Sequence, residues 1–148
     1  MNYSLITENL YIGTTPKGED YGTLHELGVN LVINVRIGTP PRRDPHALPI
    51  KTLWLPMIDS PLIPIPLRSL QIGVQEALKV IGSGGVVYTH CSKGRHRGPA
   101  MGACILIAQG MSPEQAMELI KQQRPISDHH IWYIRRRIMK FARAWNNG

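Results

Sequence analysis

The sequence predicts an α/β fold: a central, mostly parallel sheet flanked by helices. Two observations point to it. The apolar runs NLVINV (30–35) and GVVYTH (85–90) are rich in β-branched residues and have the composition of strands buried on both faces. Segments of helical spacing lie between and after them, and the second run delivers its end to a helix start. Strands alternating with helices make a sheet covered by helical layers, whose ligands sit beyond the carboxyl ends of the strands.

Taken in order, YSLI and TENLYIGT read as short opening strands, with Gly13 closing the second. DYGTLHELG reads as a short helix ended by Gly28. After NLVINV, the Pro- and Arg-rich stretch RIGTPPRRDPHALP is a loop. IKTLWLPM (50–57) is a further strand, and IDSPLIPIP a proline-studded loop. Leu70, Val74, Ala77, Leu78 and Ile81 fall at helical spacing behind Pro66, which suits a first helical position. Gly82, Gly84 and Gly85 break that helix before GVVYTH. PAMGACILIAQ is apolar all round and is therefore a buried helix. Ser112, Pro113 and Gln115 form a capping-box start for SPEQAMELIKQQ. A last helix carries Ile131, Ile134, Ile138, Phe141 and Trp145 on one face, with Arg135 to Arg137 mostly outward. No repeat, low-complexity tract or linker interrupts the chain, so residues 1–148 read as a single domain.

Lys and Arg outnumber Asp and Glu by 17 to 10, a net charge of +7 that favours anionic partners. The start MNYSLITENLYIG lacks the features of a secretory signal, and no apolar run is long enough for a membrane span. The two cysteines, Cys91 and Cys104, fit a reducing compartment, and the expected location is the cytoplasm.

The chemistry concentrates in HCSKGRHRG, residues 90–98. Cys91 and Arg97 bracket five residues in a loop that can wrap an oxyanion. Gly94 permits a tight turn, so that successive amides can converge on phosphate oxygens. The N-terminus of the following helix directs its partial positive charge the same way. Arg97 adds a fork matched to a tetrahedral phosphate. Such surroundings favour a cysteine thiolate, the nucleophilic form. His90 is expected to orient the loop or Cys91 by hydrogen bonding rather than act as a base. Cys104, inside an apolar helix, reads as inert. A nucleotide P-loop is excluded because G-x-x-x-x-G-K-[ST] is absent. Cleavage of a phosphate ester also needs a proton for the leaving oxygen, hence a carboxylic acid from another loop. Asp59 in PMIDSP is the best candidate; its alternative is a turn residue before Ser60 and Pro61. Asp44 is the weaker candidate and reads as a loop salt-bridge partner, while Asp128 reads as a helix cap.

The H-C-x5-R loop resembles the signature of the cysteine-dependent protein tyrosine phosphatase superfamily. LYIG, LHELGVNLVINV, WLPMID, GGVVYTHC and MSPEQAMELIKQQRP are similar, in order, to the compact dual-specificity phosphatases, so the resemblance spans nearly the whole chain. It implies a dual-specificity phosphatase-like fold and metal-independent hydrolysis with no cofactor. Cys91 would be the nucleophile, Arg97 the oxyanion holder and Asp59, at the family's position for it, the general acid. The loop residues Ser92, Lys93, Gly94, Arg95, His96 and Gly98 would bind substrate, with His90 supporting.

The order K-G-R-H-R is similar to that of the plant-and-fungal atypical dual-specificity phosphatases, which hydrolyse inositol pyrophosphates. Lys93 stands at their arginine position and Arg95 at their lysine position, while His96 and Arg97 match. Lys93 and Arg95, with Arg42 and Arg43, favour a crowded inositol phosphate over phosphotyrosine, unless they merely project into solvent. The expected partner is a phosphorylated protein or a highly anionic small-molecule phosphate, phosphoinositides included. Nucleic acid is disfavoured because no basic strip is interleaved with aromatics, although some relatives with basic loops act on RNA 5′-phosphates. A monomer is expected. Two departures from the family stand out. Gly98 replaces the Ser or Thr whose hydroxyl stabilises the departing thiolate, which implies a slow second step or a phosphate-binding pseudophosphatase. Gly98 would also serve as an N-cap before Pro99. RPISDHHIWYIRR lacks the family's Pro-Asn and downstream Gln, carrying His129, His130 and Arg136 instead. No metal is expected at His129 and His130, which lack acidic or cysteine partners at ligand spacing.

Overall fold

A computed structural model describes residues 1–38, 49–128 and 131–147. Two short strands open it, β1 (Tyr3–Thr7) and β2 (Leu10–Gly13), followed by helix α1 (Asp20–Glu26). Strand β3 (Val29–Arg36), strand β4 (Lys51–Met57) and helix α2 (Leu67–Gly82) come next. Strand β5 (Val86–His90) then leads to three helices, α3 (Arg97–Ala108), α4 (Pro113–Gln123) and α5 (Trp132–Asn147).

The five strands form one sheet in the order β1-β2-β5-β3-β4. β1 and β2 pair antiparallel, and every other pairing is parallel, as expected of strands joined by helical crossovers. The fold class read from the sequence therefore holds. β5 lies between β2 and β3, so its residues are covered on both edges, and Val87, Tyr88, Thr89 and His90 are buried. β4 is the outer strand next to β3, and only Leu55 and Met57 of its residues are buried.

Helix α3 is the hub of one layer, with residues Gly98 to Ile107 all buried beneath the sheet and among α2, α4 and α5. α5 presents Ile134, Ile138, Phe141 and Ala142 to this core, and truncating a buried Phe in such a setting costs ~3–5 kcal/mol. The smaller opposite layer packs Tyr21 and Leu24 of α1 against Val29, Val32 and Tyr88.

Most helix boundaries follow the local signals. The Ser112 capping box forms in full, its hydroxyl accepting from Gln115 N–H while Gln115 reaches back to the Ser112 amide. Gly28 ends α1 with φ +82°. Pro66, read as a first helical residue, is instead the N-cap, with ψ of 125°. Gly98, read as an N-cap, lies inside the first turn of α3, and His96 takes the cap position. The reason is that the loop turns at Gly94, four residues earlier than Gly98, so helical geometry already begins at Arg97. No helix among the described residues is long and apolar enough to cross a membrane.

Candidate active site

Strand β5 ends at His90, and Cys91 opens the connection into α3. Cys91 is 3% exposed, at the base of a cavity of about 300 Å³ lined by Asp59, Ser92, Lys93, Arg95, His96 and Arg97 together with Cys91 itself. The strand end fixes the first residue of the loop and the helix start fixes the last, so residues 91–97 form a short arch over the end of the sheet. The turn of that arch is Gly94, with φ +66°. A β-carbon there would lie 2.8 Å from the Gly13 carbonyl oxygen and 2.6 Å from Arg124 Nη2. Position 94 therefore requires glycine on both conformational and steric grounds.

Arg124, just beyond α4, supports the arch from behind and is 1% exposed. Its Nε donates to the Gly94 carbonyl (2.9 Å) and its Nη2 to the Lys93 carbonyl (3.1 Å). Its Nη1 donates to Asn2 Oδ1 (2.9 Å) and Ser4 Oγ (3.0 Å). Burial pulls the guanidinium pKa down, opposed by Tyr88 and Cys91, which favour its charge. The Cys91 carbonyl is held as well: Thr15 Oγ1 donates to it (3.1 Å), itself accepting from Arg36 Nη1 (3.0 Å). His90 Nδ1 lies 3.3 Å from the same carbonyl oxygen. Burial pushes the His90 imidazole down to about 4, so it is neutral near pH 7 and suited to orienting the loop. Thr89 Oγ1 donates to the Gly98 carbonyl (3.2 Å), tying β5 to the first turn of α3.

Arg97 Nη1 donates to the Met57 carbonyl (3.0 Å) at the end of β4. Its Nε is buried and has no hydrogen-bond partner among the described residues. A buried N–H left without a partner is costly unless something else accepts from it. Here it belongs to a side chain lining the Cys91 cavity, and a ligand oxygen is the natural acceptor.

Asp59 stands at the cavity mouth, its side chain 27% exposed. His96 Nδ1 lies 2.7 Å from its Oδ2, and the Tyr133 hydroxyl donates to its Oδ1 (2.8 Å). Burial pushes the Asp59 carboxyl up, but the bonds from His96 and Tyr133 and the charges of His96 and Arg97 outweigh it, leaving the pKa below the ordinary value. Tyr133 moves the other way, to about 12, through burial and its bond to the carboxylate. His96 Nε2 lies 3.9 Å from Asp128 Oδ2. Asp128, read from sequence as a helix cap, lies four residues before α5 begins and instead faces the active-site loop, its amide donating to the Arg95 carbonyl (2.7 Å).

The structure brings Cys91, Arg97, Asp59, Ser92, Lys93, Arg95 and His96 to one cavity. Gly98 lies next to it, where an added β-carbon would sit 3.6 Å from Cys91 Sγ. Cys104 is fully buried, and burial drives its thiol pKa upward, which favours the inert thiol. Arg136 lies exposed on α5 and does not line the cavity. Arg42, Arg43, Asp44, His129 and His130 lie outside the described residues. Sequence reasoning missed Arg124, Tyr133 and Thr15. Arg124 follows the polar run Lys121–Gln123 and carries no local signal that separates it from a surface arginine.

Residues 3–144 match the family model described as PTP-SAK, Swiss Army Knife protein, DSP-PTPase phosphatase domain. The chain is 42% identical over 78 residues to the human phosphatidylglycerophosphatase and protein-tyrosine phosphatase 1, an alignment covering 52% of this chain and 38% of that protein. The chain thus spans well under half the length of this relative. Among solved structures, human DUSP28 superposes with a TM-score of 0.86 at 22% identity, covering 97% of this chain and 98% of that one. PTPMT1 in complex with PI(5)P superposes with a TM-score of 0.77 at 27% identity, covering 96% of this chain and 98% of that one.

Proposed function

Because the chain belongs to the DSP-PTPase phosphatase domain family, we propose that it is a cysteine-dependent phosphatase hydrolysing phosphate monoesters through a phosphocysteine intermediate. The observation that carries this reading is the cavity that Cys91, Asp59 and Arg97 line together, with the buried Nε of Arg97 left without a partner among the described residues.

In the first step the Cys91 thiolate attacks phosphorus, an S–P bond forms, and the P–O bond to the leaving group breaks. Asp59 gives its proton to the departing oxygen. The free enzyme holds Asp59 as a carboxylate through His96 and Tyr133. An incoming phosphoryl dianion places like charge beside it, which raises its pKa and favours the protonated acid in the complex. Arg97 and the loop amides hold the equatorial oxygens of the transition state. In the second step water attacks phosphorus, Asp59 accepts its proton, and the S–P bond breaks to release phosphate and the Cys91 thiolate.

Gly98 bears on that second step. The 3.6 Å between its hypothetical β-carbon and Cys91 Sγ is a distance from which a serine hydroxyl would reach the sulfur. Glycine offers no donor to the departing thiolate, which supports slow breakdown of the intermediate. Carried to its limit, the same observation supports a phosphate-binding protein with little turnover.

The substrate belongs to the phosphorylated molecules the family acts on, either a phosphoprotein or a highly anionic small phosphate. Lys93 and Arg95 at the cavity support the second. So do the phosphatidylglycerophosphatase name of one relative and the PI(5)P bound by another. The cytoplasm and a monomeric state complete the proposal. The test is hydrolysis of p-nitrophenyl phosphate by rapid mixing. A stoichiometric burst followed by a slow steady rate is expected, with both phases lost in Cys91→Ser. Undiminished turnover by Cys91→Ser overturns the mechanism, and phosphate binding with no burst favours the turnover-poor reading.

A further inference from the structure

Beside the catalytic cavity lies a second one, of about 570 Å³, lined by Lys93, Arg95, Lys121, Pro125, Ile126 and Asp128. Lys93 and Arg95 line both, so the two cavities are contiguous across these side chains. We propose that this second cavity binds a further phosphate group of the same substrate, so that the preferred substrate is a compact polyol carrying at least two phosphates. The proposal rests on the phosphatase reading above and extends it to a site outside the H-C-x5-R loop.

Charge makes the first argument. Three cations line the cavity against the single carboxylate of Asp128, which itself lies 3.9 Å from His96. Among the described residues, Lys93, Arg95 and Lys121 form no ion pair with any carboxylate. Lys121 Nζ donates to the carbonyls of Pro125 and Ser127, both at 2.8 Å. Those bonds fix the ammonium in place and leave one of its three N–H donors and its whole charge available. A held cation loses less freedom when it captures an anion than a waving one does.

Rigidity makes the second. The Asp128 amide bonds the Arg95 carbonyl at 2.7 Å, and Arg124 bonds the Lys93 and Gly94 carbonyls. The segment carrying Lys121 to Asp128 is thereby fastened to the catalytic loop, and the spacing between the cavities is set by the fold. Two phosphates on one ring suit such a fixed spacing, whereas a phosphotyrosine side chain offers only one. Ile126, 50% exposed, and Pro125 give the second cavity an apolar rim against which ring carbons can rest.

The test measures binding of a myo-inositol bisphosphate and a myo-inositol monophosphate to Cys91→Ser by calorimetry, which separates recognition from turnover. The bisphosphate is expected to bind about tenfold tighter or more, the sum of two partly screened charge contacts. Adding Lys121→Met should lower that ratio about fivefold. Adding Ile126→Lys, which places a further cation at the rim, should raise it, a gain that misfolding cannot imitate. A parallel series uses vesicles carrying phosphatidylinositol bisphosphate or monophosphate. Preference for the bisphosphate in either series supports the site, and the series that shows it identifies a free polyol or a lipid headgroup as the source. Equal affinity for the two phosphates in both series, or a ratio moved by neither added substitution, overturns the proposal. Failure of wild-type protein to release p-nitrophenolate from p-nitrophenyl phosphate in either a burst or a steady phase would instead sink the phosphatase reading while leaving the binding ratio interpretable.

Discussion

Tyr133→Phe removes one donor from the proposed general acid and leaves the cavity walls in place. In the wild type both carboxylate oxygens of Asp59 are engaged, Oδ2 by His96 at 2.7 Å and Oδ1 by Tyr133 at 2.8 Å. A hydrogen bond to a charged group is worth ~1.5–3 kcal/mol net, and solvent screening at this partly exposed side chain reduces that to about 1 kcal/mol. Spent on holding the acid in line with the leaving oxygen, this corresponds to about fivefold in rate. The loss should depend on the leaving group. p-Nitrophenolate departs with little help from a proton, whereas an alkoxide needs it. On the pH plateau, the single-turnover rate of the first step should fall about fivefold for an alkyl phosphate and less than about twofold for p-nitrophenyl phosphate. The pH profile gives an independent readout. The Tyr133 bond is one of the contributions that hold the Asp59 pKa below its ordinary value, so its removal raises that pKa. An acid catalyst is active while protonated, and kcat/KM falls as pH rises through its free-enzyme pKa. The descending limb should therefore move to higher pH in Tyr133→Phe. An unmoved limb together with equal losses on both substrates would refute the role assigned to Tyr133 and weaken that of Asp59.

Gly98→Ser should speed the steady-state phase about tenfold or more while leaving burst amplitude unchanged, because a hydroxyl bond to the departing thiolate is charge-assisted and worth ~1.5–3 kcal/mol. Rapid-mixing kinetics read both phases, and an unchanged slow phase would show that Gly98 does not limit turnover. Arg124→Met strips the Lys93 and Gly94 carbonyls of their donor, at ~1–3 kcal/mol for each buried acceptor left unpaired. A lower melting temperature and weaker inhibition by orthovanadate are expected together. The same stability with intact vanadate inhibition would mean the arch stands without this arginine. For His90, the folded-state pKa of about 4 lies below its ordinary 6.5, so between these values the unfolded chain binds a proton that the folded one does not. Stability should therefore drop by about 3 kcal/mol as pH falls through that window, and His90→Gln should flatten this part of the urea-unfolding profile.

Much of the fold was readable because its signals are local. Continuous β-branched runs marked β3 and β5, and the Ser112–Gln115 capping box marked the start of α4. The loop chemistry was readable for the same reason, since Cys91, Gly94 and Arg97 are close in sequence and each has a distinctive task. What escaped depends on long-range contact. Tyr133 meets Asp59 across 74 positions and Arg124 meets Ser4 across 120. Neither has a local pattern, because a tyrosine on an amphipathic helix and an arginine after one are ordinary surface residues until tertiary packing places them. The helix start was misplaced for a related reason: Gly98 looks like a cap only if the preceding loop is long, and the turn at Gly94 makes it short.

Within HCSKGRHRG four basic side chains, Lys93, Arg95, His96 and Arg97, stand beside Cys91 with no carboxylate in the same stretch. The structure balances only one of them. His96 takes both nearby carboxylates, Asp59 directly and Asp128 at 3.9 Å, one on each ring nitrogen. Lys93, Arg95 and Arg97 remain without an ion-pair partner among the described residues, and Arg97 keeps a buried N–H with no acceptor. Leaving cations unpaired beside one another costs self-repulsion that folding alone does not recover. A bound anion removes that repulsion and satisfies the Arg97 N–H at the same time, so the arrangement makes energetic sense as the empty half of a complex. The number of unpaired cations then bears on the substrate. One phosphate in the Cys91 cavity occupies Arg97, and Lys93 and Arg95, shared with the neighbouring cavity, are left for charge that a single phosphate does not carry.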